Sequence, residues 1–557
     1  MTSLDSSAHE SNLNGARLGA PAHLFDDPHV HARRWWTLVV LCLSLLIVFV
    51  GNSSLNVTLP TLATKLHASE SQLQWVVAIY SLVFAGLLFT TGALGDRFGR
   101  KGALQFGLVG FLAACLLASR SSSMTELIAC RAFMGASAAL IMPSTLSILV
   151  NVFPPEERAK AIAAWAAVTG AAGAIGPVAS GFLLGHFWFG SVFLVNVPFI
   201  VLALVGGWFL VPRSRDPEEA QLDPLGALLS IIGVSSLVYG LIQGPELGWA
   251  SGETIGAFIL AAVVLSLFVA WELHVAEPML DMSFFKNRAF STGTGGMILV
   301  FLAMYGVMFL VTQYFQLVLG YSALGAAARF LPMSPIMIVV APLTPRMVKR
   351  FGANRTVAVG MVLVGLGMLS FRGLEIGTSY WYILFCVFLL VSGIAMTMSP
   401  MTASIMSAVP ARRAGAGSAM NDASRELGAA LGIAVLGSFA ASEYSSSIRR
   451  FLGVIPASAR SAARSSLASA IQAADKLSPA AKRTLVAGSK DAFIDGLHLA
   501  VTAGAILCAI ASIVVYRYLP SQTPMVGGHG EITAVDAMEL TAEMGVAGFE
   551  PVLDRQS

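Results

Sequence analysis

The chain reads as an all-α membrane protein of about fourteen transmembrane helices, arranged as two six-helix bundles with two extra helices inserted between them. Three observations predict this. Hydrophobic residues make up 56% of its 557 residues and charged residues only 12%, with a mean hydropathy of +0.75, whereas a soluble domain carries about 25% charge. Apolar runs of roughly 20 residues, the length a helix needs to cross a bilayer, recur along nearly the whole chain. A short charged turn, GALGDRFGRK at 92–101, is echoed by PRMVKRFGANR at 345–355, as expected of repeated halves.

The apolar runs lie at 36–58, 74–95, 103–119, 125–150, 159–184, 191–211, 223–243, 254–274, 291–316, 325–345, 356–373, 380–404, 415–440 and 495–518. In lipid a backbone must satisfy its own polar groups, and these runs lack the alternation of barrel strands, so each span is a helix. Basic residues such as Arg33, Arg34, Arg97, Arg158, Lys160, Arg213, Lys286, Arg346, Lys349 and Arg412 collect in short loops on one side. The other side's short loops hold little beyond Lys65, Arg120 and Arg372. The positive-inside bias makes the first side cytoplasmic and, with an even span count, places both termini there, in a cell (inner) membrane.

The expected division is a cytoplasmic N-terminal tail (1–34), an N-terminal six-helix bundle (35–211), a linker with two extra transmembrane helices (212–284), a C-terminal six-helix bundle (285–520) and a cytoplasmic C-terminal tail (521–557). The first thirty or so residues are polar and carry no cleavable signal. The C-terminal bundle contains a long external loop at about 441–494, rich in Ala, Ser, Lys and Arg. It reads as helical and water-exposed, either a lid over the outer mouth or, more plainly, a solvated spacer. The tail after Tyr518 is Gly-rich and mildly acidic, hence disordered.

Several functional classes are excluded. The formal charge of +3 comes from loops that topology requires to be basic, so no nucleic-acid partner is implied. Cys42, Cys115, Cys130, Cys386 and Cys508 all fall in spans, form no CxxC pair and have no histidine cluster beside them, so they read as packing residues and no metal site is expected. No paired nucleophile and base suggests an enzyme, and no Walker motif suggests ATP as the energy source.

Four segments carry chemistry. In the first turn, Gly92 and Gly99 let helices and turn approach closely. Asp96 suits a helix N-terminus, and Arg97, Arg100 and Lys101 hold the loop in the headgroup layer. In span 4, LIACRAFMGASAAL buries Arg131 in a membrane helix, where a guanidinium faces an interior cavity with a partner. It either tunes proton transfer and substrate binding or makes a structural ion pair. In span 5, GAAGAIGPVASG brings Gly173, Gly176, Pro177 and Gly181, which allow close packing and a bend. In span 13, SAMNDASRELGAALG places Asp422 and Glu426 four residues apart on one helix face with Arg425 alongside. Two carboxylates in a low-dielectric cavity cannot both ionise easily, which suits proton coupling. The plainer reading is an Asp422–Arg425 pair near the surface with Glu426 in water.

These segments, with WFGSVFLVNVP at 188–198 and TQYFQLVLGYSALGAAARFLP at 312–332, resemble the major facilitator superfamily over about residues 35–520. The likeness is to its fourteen-span branch of drug:H+ antiporters, which includes the quaternary-ammonium exporters of bacteria, and the Ala/Gly/Arg-rich composition leans actinobacterial. The resemblance implies proton-coupled efflux of amphipathic organic compounds (drugs, antibiotics, dyes) by alternating access. It makes Gly92, Asp96, Arg97, Gly99, Arg100 and Lys101 a cytoplasmic gate that latches the outward-facing state. It makes Gly173, Gly176, Pro177 and Gly181 the antiporter motif, found in exporters.

The chain departs from the family pattern in three places. Met134 stands for Gln, Ser180 for Gly, and Gly51 for a membrane-embedded aspartate, leaving Asn52 and Asn56 as neutral polar groups. Proton coupling then falls to Asp422, Glu426, Arg131 and Arg425. The expected substrate cavity comprises Asn52, Asn56, Met134, Gln313, Tyr314, Gln316 and Asn421. The expected partners are a small amphipathic substrate, protons and the bilayer, with no cofactor and no nucleic acid, and the protein is expected to be a monomer. The alternative is a transporter of anionic or zwitterionic lipid-like molecules, attracted by Arg131.

Overall fold

The computed structural model describes residues 27–214, 223–276, 278–409, 414–455 and 457–521. The N-terminal half comprises α1 (Pro28–Lys65), α2 (Glu70–Phe98), α3 (Arg100–Ala118), α4 (Met124–Val152), α5 (Pro155–His186) and α6 (Ser191–Leu210). Then come α7 (Pro224–Leu247) and α8 (Gly252–His274), followed by α9 (Arg288–Gln313), α10 (Ala323–Phe351), α11 (Ala353–Ser370), α12 (Tyr380–Ser407) and α13 (Ala414–Ser447). Two short helices, α14 (Ala457–Ser465) and α15 (Leu467–Ala474), precede α16 (Pro479–Tyr518). Among the described residues, thirteen helices are long and apolar enough to cross a membrane by length and composition. The 32-residue α5, packed along α1, is the fourteenth spanning element.

Helix starts follow the local sequence. Ser69 and Gln72 form a reciprocal capping box on α2, and Ser123, Ser251 and Ser478 accept from the first-turn N–H groups of α4, α8 and α16. Each satisfies a donor the helix itself leaves open. The straight span expected at 325–345 is instead broken into Ala323–Ala328, Met333–Val340 and Thr344–Phe351. Pro332, Pro335, Pro342 and Pro345 remove backbone donors along it, so one continuous helix cannot form.

The echoed turns are equivalent in three dimensions. Gly99 (φ +113°) and Gly352 (φ +89°) each link two helices in a conformation that side-chain-bearing residues avoid. The next N–H in each case donates to the strand of chain leaving that half's last helix. Arg100 N donates to Ser214 O at 3.0 Å, and Ala353 N to Ser521 O at 2.9 Å. The side chains repeat the pattern: Lys101 Nζ reaches Trp208 O at 2.7 Å, and Asn354 Nδ2 reaches Tyr516 O at 3.3 Å. The two bundles are thus built on one plan.

α7 lies against both α2 and α13, burying Ala78, Leu82, Val238, Ile242, Ala430 and Ala434 in one apolar cluster. Ser438 of α13 donates to Leu241 O of α7. α8 rides outside α7 and presents Ile255, Ile259, Val263 and Leu267 outward, as a lipid-facing helix should.

The segment 441–494 corrects the expectation of a solvated spacer. It holds the end of α13, a 3-10 turn at Ile448–Val454, α14, α15 and the first half of α16. Leu467, Ala468, Ala470, Ala474 and Leu485 are buried. Gln472 Nε2 donates to Thr64 O, the Gln472 amide oxygen meets His67 Nδ1 at 3.0 Å, and Tyr444 donates to Ala463 O at 2.8 Å. Its low hydropathy reflects small residues, because alanine fits tight helix contacts as well as it fits water-exposed helices. The segment is a cap on the end opposite the basic loops.

Four direct hydrogen bonds between the two bundles lie toward that same end. They are Gln472 with Thr64 and His67, Gln313 with Glu70, and Gln316 with Val57. The double variant His67→Cys with Gln472→Cys tests the cap. A short bifunctional maleimide should bridge the two thiols in membranes, seen as a mobility shift on denaturing gels after cleavage of the chain between them. A freely solvated loop would give no efficient bridge.

Candidate functional site

The bundles meet where α5 packs on α10 and along a longer seam, α2 against α13, on which Arg131, Asp422, Arg425 and Glu426 converge. Arg131 of α4 is fully buried. Its Nε donates to Val76 O at 3.1 Å, Nη1 to Gly51 O at 3.0 Å and Nη2 to Asn52 Oδ1 at 3.2 Å. The guanidinium carbon sits 4.3 Å from the centroid of the Tyr80 ring, and Met134 Sδ lies 3.9 Å from Nη1. No ion pair to Arg131 occurs among the described residues. Carbonyl dipoles, an amide and a π face replace the counter-ion, so the ion-pair reading of this residue does not hold.

That cage depends on close backbone approach. A Cβ at Gly135 would stand 2.4 Å from Tyr80 O, so glycine is what lets α4 bring Arg131 onto α2. Position 51, where the resembled family has an acid, points its missing Cβ at Phe111, 2.9 Å from the ring tip. Gly51 instead contributes its carbonyl. Asn56 is buried with Oδ1 unpartnered among the described residues.

Across the seam, Asp422 Oδ1 lies 3.6 Å from Arg425 Nη1 and accepts from Asn421 Nδ2 at 3.4 Å. Asn421 Oδ1 in turn accepts from Thr402 at 3.0 Å, and Arg425 stacks 5.0 Å from the Phe301 ring centroid. Glu426 is not in water: it is 8% exposed, and its Oε2 has no hydrogen-bond partner among the described residues. Its polar surroundings are Ser81, Arg425, Asp422 and Arg131, with the Tyr80 and Tyr305 hydroxyls in electrostatic reach. Tyr80 thus stands between the fixed cation of one bundle and the carboxylate of the other.

The remaining predicted residues fall elsewhere. Gln313 donates to Glu70 Oε1 at 3.0 Å and Gln316 to Val57 O at 2.8 Å, tying the bundles at the capped end, while Tyr314 donates to Glu375 O at 2.7 Å within its own half. These three stand apart from Glu426. Gly92 faces Pro143 of α4, Arg97 stacks 5.5 Å from the Phe98 ring centroid, and Arg100 is buried. The side chain of Asp96 lies outside the described residues. In α5, Gly176 lies against Ser53 and Ser54 of α1, and Gly181 against the backbone of Ala323 and Leu324 in the other bundle. Pro177 and Ser180 are buried beside them, whereas Gly173 faces open space.

Sequence reading missed Tyr80, Ser81, Gln74 and Tyr305, all on helices lining the seam. Gln74 is fully buried with both amide atoms unpartnered among the described residues. A second glutamine at the edge of an apolar run, QLQWVV at 72–77, was the available signal.

Two similar helical bundles, joined by a seam that holds unpartnered polar groups, define a membrane transporter. The family profile of the Major Facilitator Superfamily matches residues 41–433, and the chain belongs to that family. It is 35% identical over 485 residues to the multidrug efflux pump LfrA of Mycolicibacterium smegmatis, covering 86% of this chain and 96% of that one. It is 33% identical over 484 residues to the methyl viologen resistance protein SmvA of Salmonella typhimurium, covering 86% and 97%. A bacterial homolog of the human lysosomal transporter Spinster, solved inward-facing and unoccupied, shares the fold with a TM-score of 0.63 at 16% identity, over 89% of this chain and 99% of that one.

The glycines of α5 make a paired test. A Cβ at Gly176 would lie 2.1 Å from Ser53 Oγ, whereas one at Gly173 meets nothing within 4 Å. Gly176→Ala should cost about 1–3 kcal/mol through overpacking, lowering the melting temperature in detergent. Gly173→Ala should be neutral or slightly stabilising, since alanine favours a helix.

Proposed function

We propose that this transporter exports amphipathic organic compounds in exchange for protons, working as a monomer in the cell (inner) membrane with both termini cytoplasmic. The observation that carries the reading is Glu426, a buried carboxylate with an unpartnered oxygen on the α2–α13 seam between the two bundles. A carboxylate there has two ways to be neutralised: a proton, or the positive end of an amphipathic substrate. The two compete, and each empties the site for the other. The relatives support the cargo class, being an efflux pump and a methyl viologen resistance protein by name.

In this reading Glu426 carries the proton, Asp422 and Arg425 set its field, and Arg131 repels a second positive charge. The basic end is cytoplasmic, so the Glu70–Gln313, Val57–Gln316 and Gln472 bonds close the external end. Breaking them while the turns at Gly99 and Gly352 seat the other end is the alternation. Gly92, Asp96, Arg97, Gly99, Arg100 and Lys101 form the cytoplasmic gate.

A cargo of anionic or zwitterionic lipid-like molecules is the second reading, favoured by a guanidinium with no carboxylate partner. Arg131 is fully enclosed and each of its three nitrogens has an acceptor, which favours the first.

In reconstituted vesicles with an imposed pH gradient, Glu426→Gln should lower proton-driven export of an ethidium-like cation by more than about 10-fold, roughly the loss of one interaction essential to the step. Asp422→Asn should do less. Proton-driven export retained by Asp422→Asn with Glu426→Gln would remove both carboxylates from the coupling role. Gradient-driven movement of an anionic lipid analogue alone would select the second reading.

A further inference from the structure

A second pair of carboxylates lies away from the seam, where the inserted helices meet the segment leading into the C-terminal bundle. Asp223 caps α7, its Oδ1 accepting from Gly226 N at 2.8 Å. The indole N–H of Trp271 on α8 points at both Asp223 oxygens, at 3.0 and 3.1 Å. Glu272 accepts from Leu280 N through Oε2 at 2.9 Å. Its other oxygen, Oε1, is buried with no partner among the described residues, on a side chain only 3% exposed.

That oxygen is aimed at Asp223. A Cβ built on Gly226 would lie 2.4 Å from Asp223 Oδ2 and 2.5 Å from Glu272 Oε1. The two oxygens therefore converge over the same glycine. No Lys, Arg or His pairs with either carboxylate among the described residues. Of the elements packed here, α7 brings Asp223, the approach to α9 brings Asp281 and Lys286, and α8 brings His274. Asp223 is the charged group that acts on Glu272.

Their surroundings are unequal. Asp223 stands at the N-terminus of α7 with several donors, where negative charge is favoured. Glu272 sits in the last turn of α8, where negative charge is disfavoured, and has one donor. Two buried carboxylates that face each other with no cation between them repel, and one shared proton turns that repulsion into a charge-assisted hydrogen bond.

We propose that Asp223 and Glu272 form a buried proton-binding site, with Glu272 as the acid donating from Oε1 to Asp223 Oδ2. The bond ties the start of α7 to the end of α8. Through Leu280 it also ties both helices to the chain entering the C-terminal bundle. It is independent of the transport reading, since its test reads stability and not flux.

Glutamine is the discriminating substitution, because its amide N–H₂ can take the place of the proposed O–H while its oxygen still accepts from Leu280. The full-length protein in detergent would be melted from about pH 5 to about pH 9, the range over which a shared carboxyl proton is lost. The folded site holds a proton that the unfolded chain releases, so the site's stabilisation is present at acid pH and falls as pH rises. Wild type should melt progressively lower toward alkaline pH, Glu272→Gln should lose much of that slope, and Glu272→Ala should melt lower even at acid pH. An infrared spectrum in a Glu426→Gln background should show a protonated-carboxyl band that loses intensity on adding Glu272→Gln. A Glu272→Gln protein with the wild-type slope, or one melting as low as Glu272→Ala, overturns the proposal, as does an unchanged infrared band.

Discussion

Lipid offers no hydrogen bonds, so each bundle of a protein whose halves move must satisfy its polar groups internally and leave only the seam unsettled. The charged groups nearest the seam follow that constraint. Arg131 finds its acceptors on α1 and α2 of its own bundle, and Asp422 finds Arg425 and Asn421 on its own helix. Toward the other half, Asn56 on α1, Gln74 on α2 and one oxygen of Glu426 on α13 stay open. A seam of unsatisfied groups favours a ligand or water there, and it lets the halves part without breaking their interiors.

The inserted helices give the seam a side wall. α7 packs against α2 and α13 at once, with Gly86 of α2 so close that a Cβ would lie 2.4 Å from Ile231. A fourteen-span chain therefore shields one flank of the contact with protein rather than lipid, and α8 takes the lipid-facing position outside it.

The architecture was legible in the sequence because membranes impose coarse rules: run length, basic loops and a repeated Arg-Phe-Gly turn whose glycine the backbone conformation requires. The pair Asp422 and Arg425 was legible from helical spacing. The burial of Glu426 was not, because nothing local tells which helix will cover it; that role falls to Ser81 and Tyr80, some 345 residues earlier. The 441–494 segment was misread because alanine gives almost no hydropathy signal whether it faces water or another helix. The break in α10 stood in plain sight as four prolines, yet an average over the window hides them.

The cage around Arg131 has one more consequence. Its hydrogen-bond acceptors are two peptide carbonyls and an amide, none of which changes protonation in the physiological range. The Arg131 charge therefore works as a fixed electrode, while Asp422 and Glu426 across from it work as a variable one. A swing in acidity leaves the Arg131 charge as it is and acts on the carboxylates that face it across the seam. Gly51, with a carbonyl and no side chain, adds no adjustable terminal beside it.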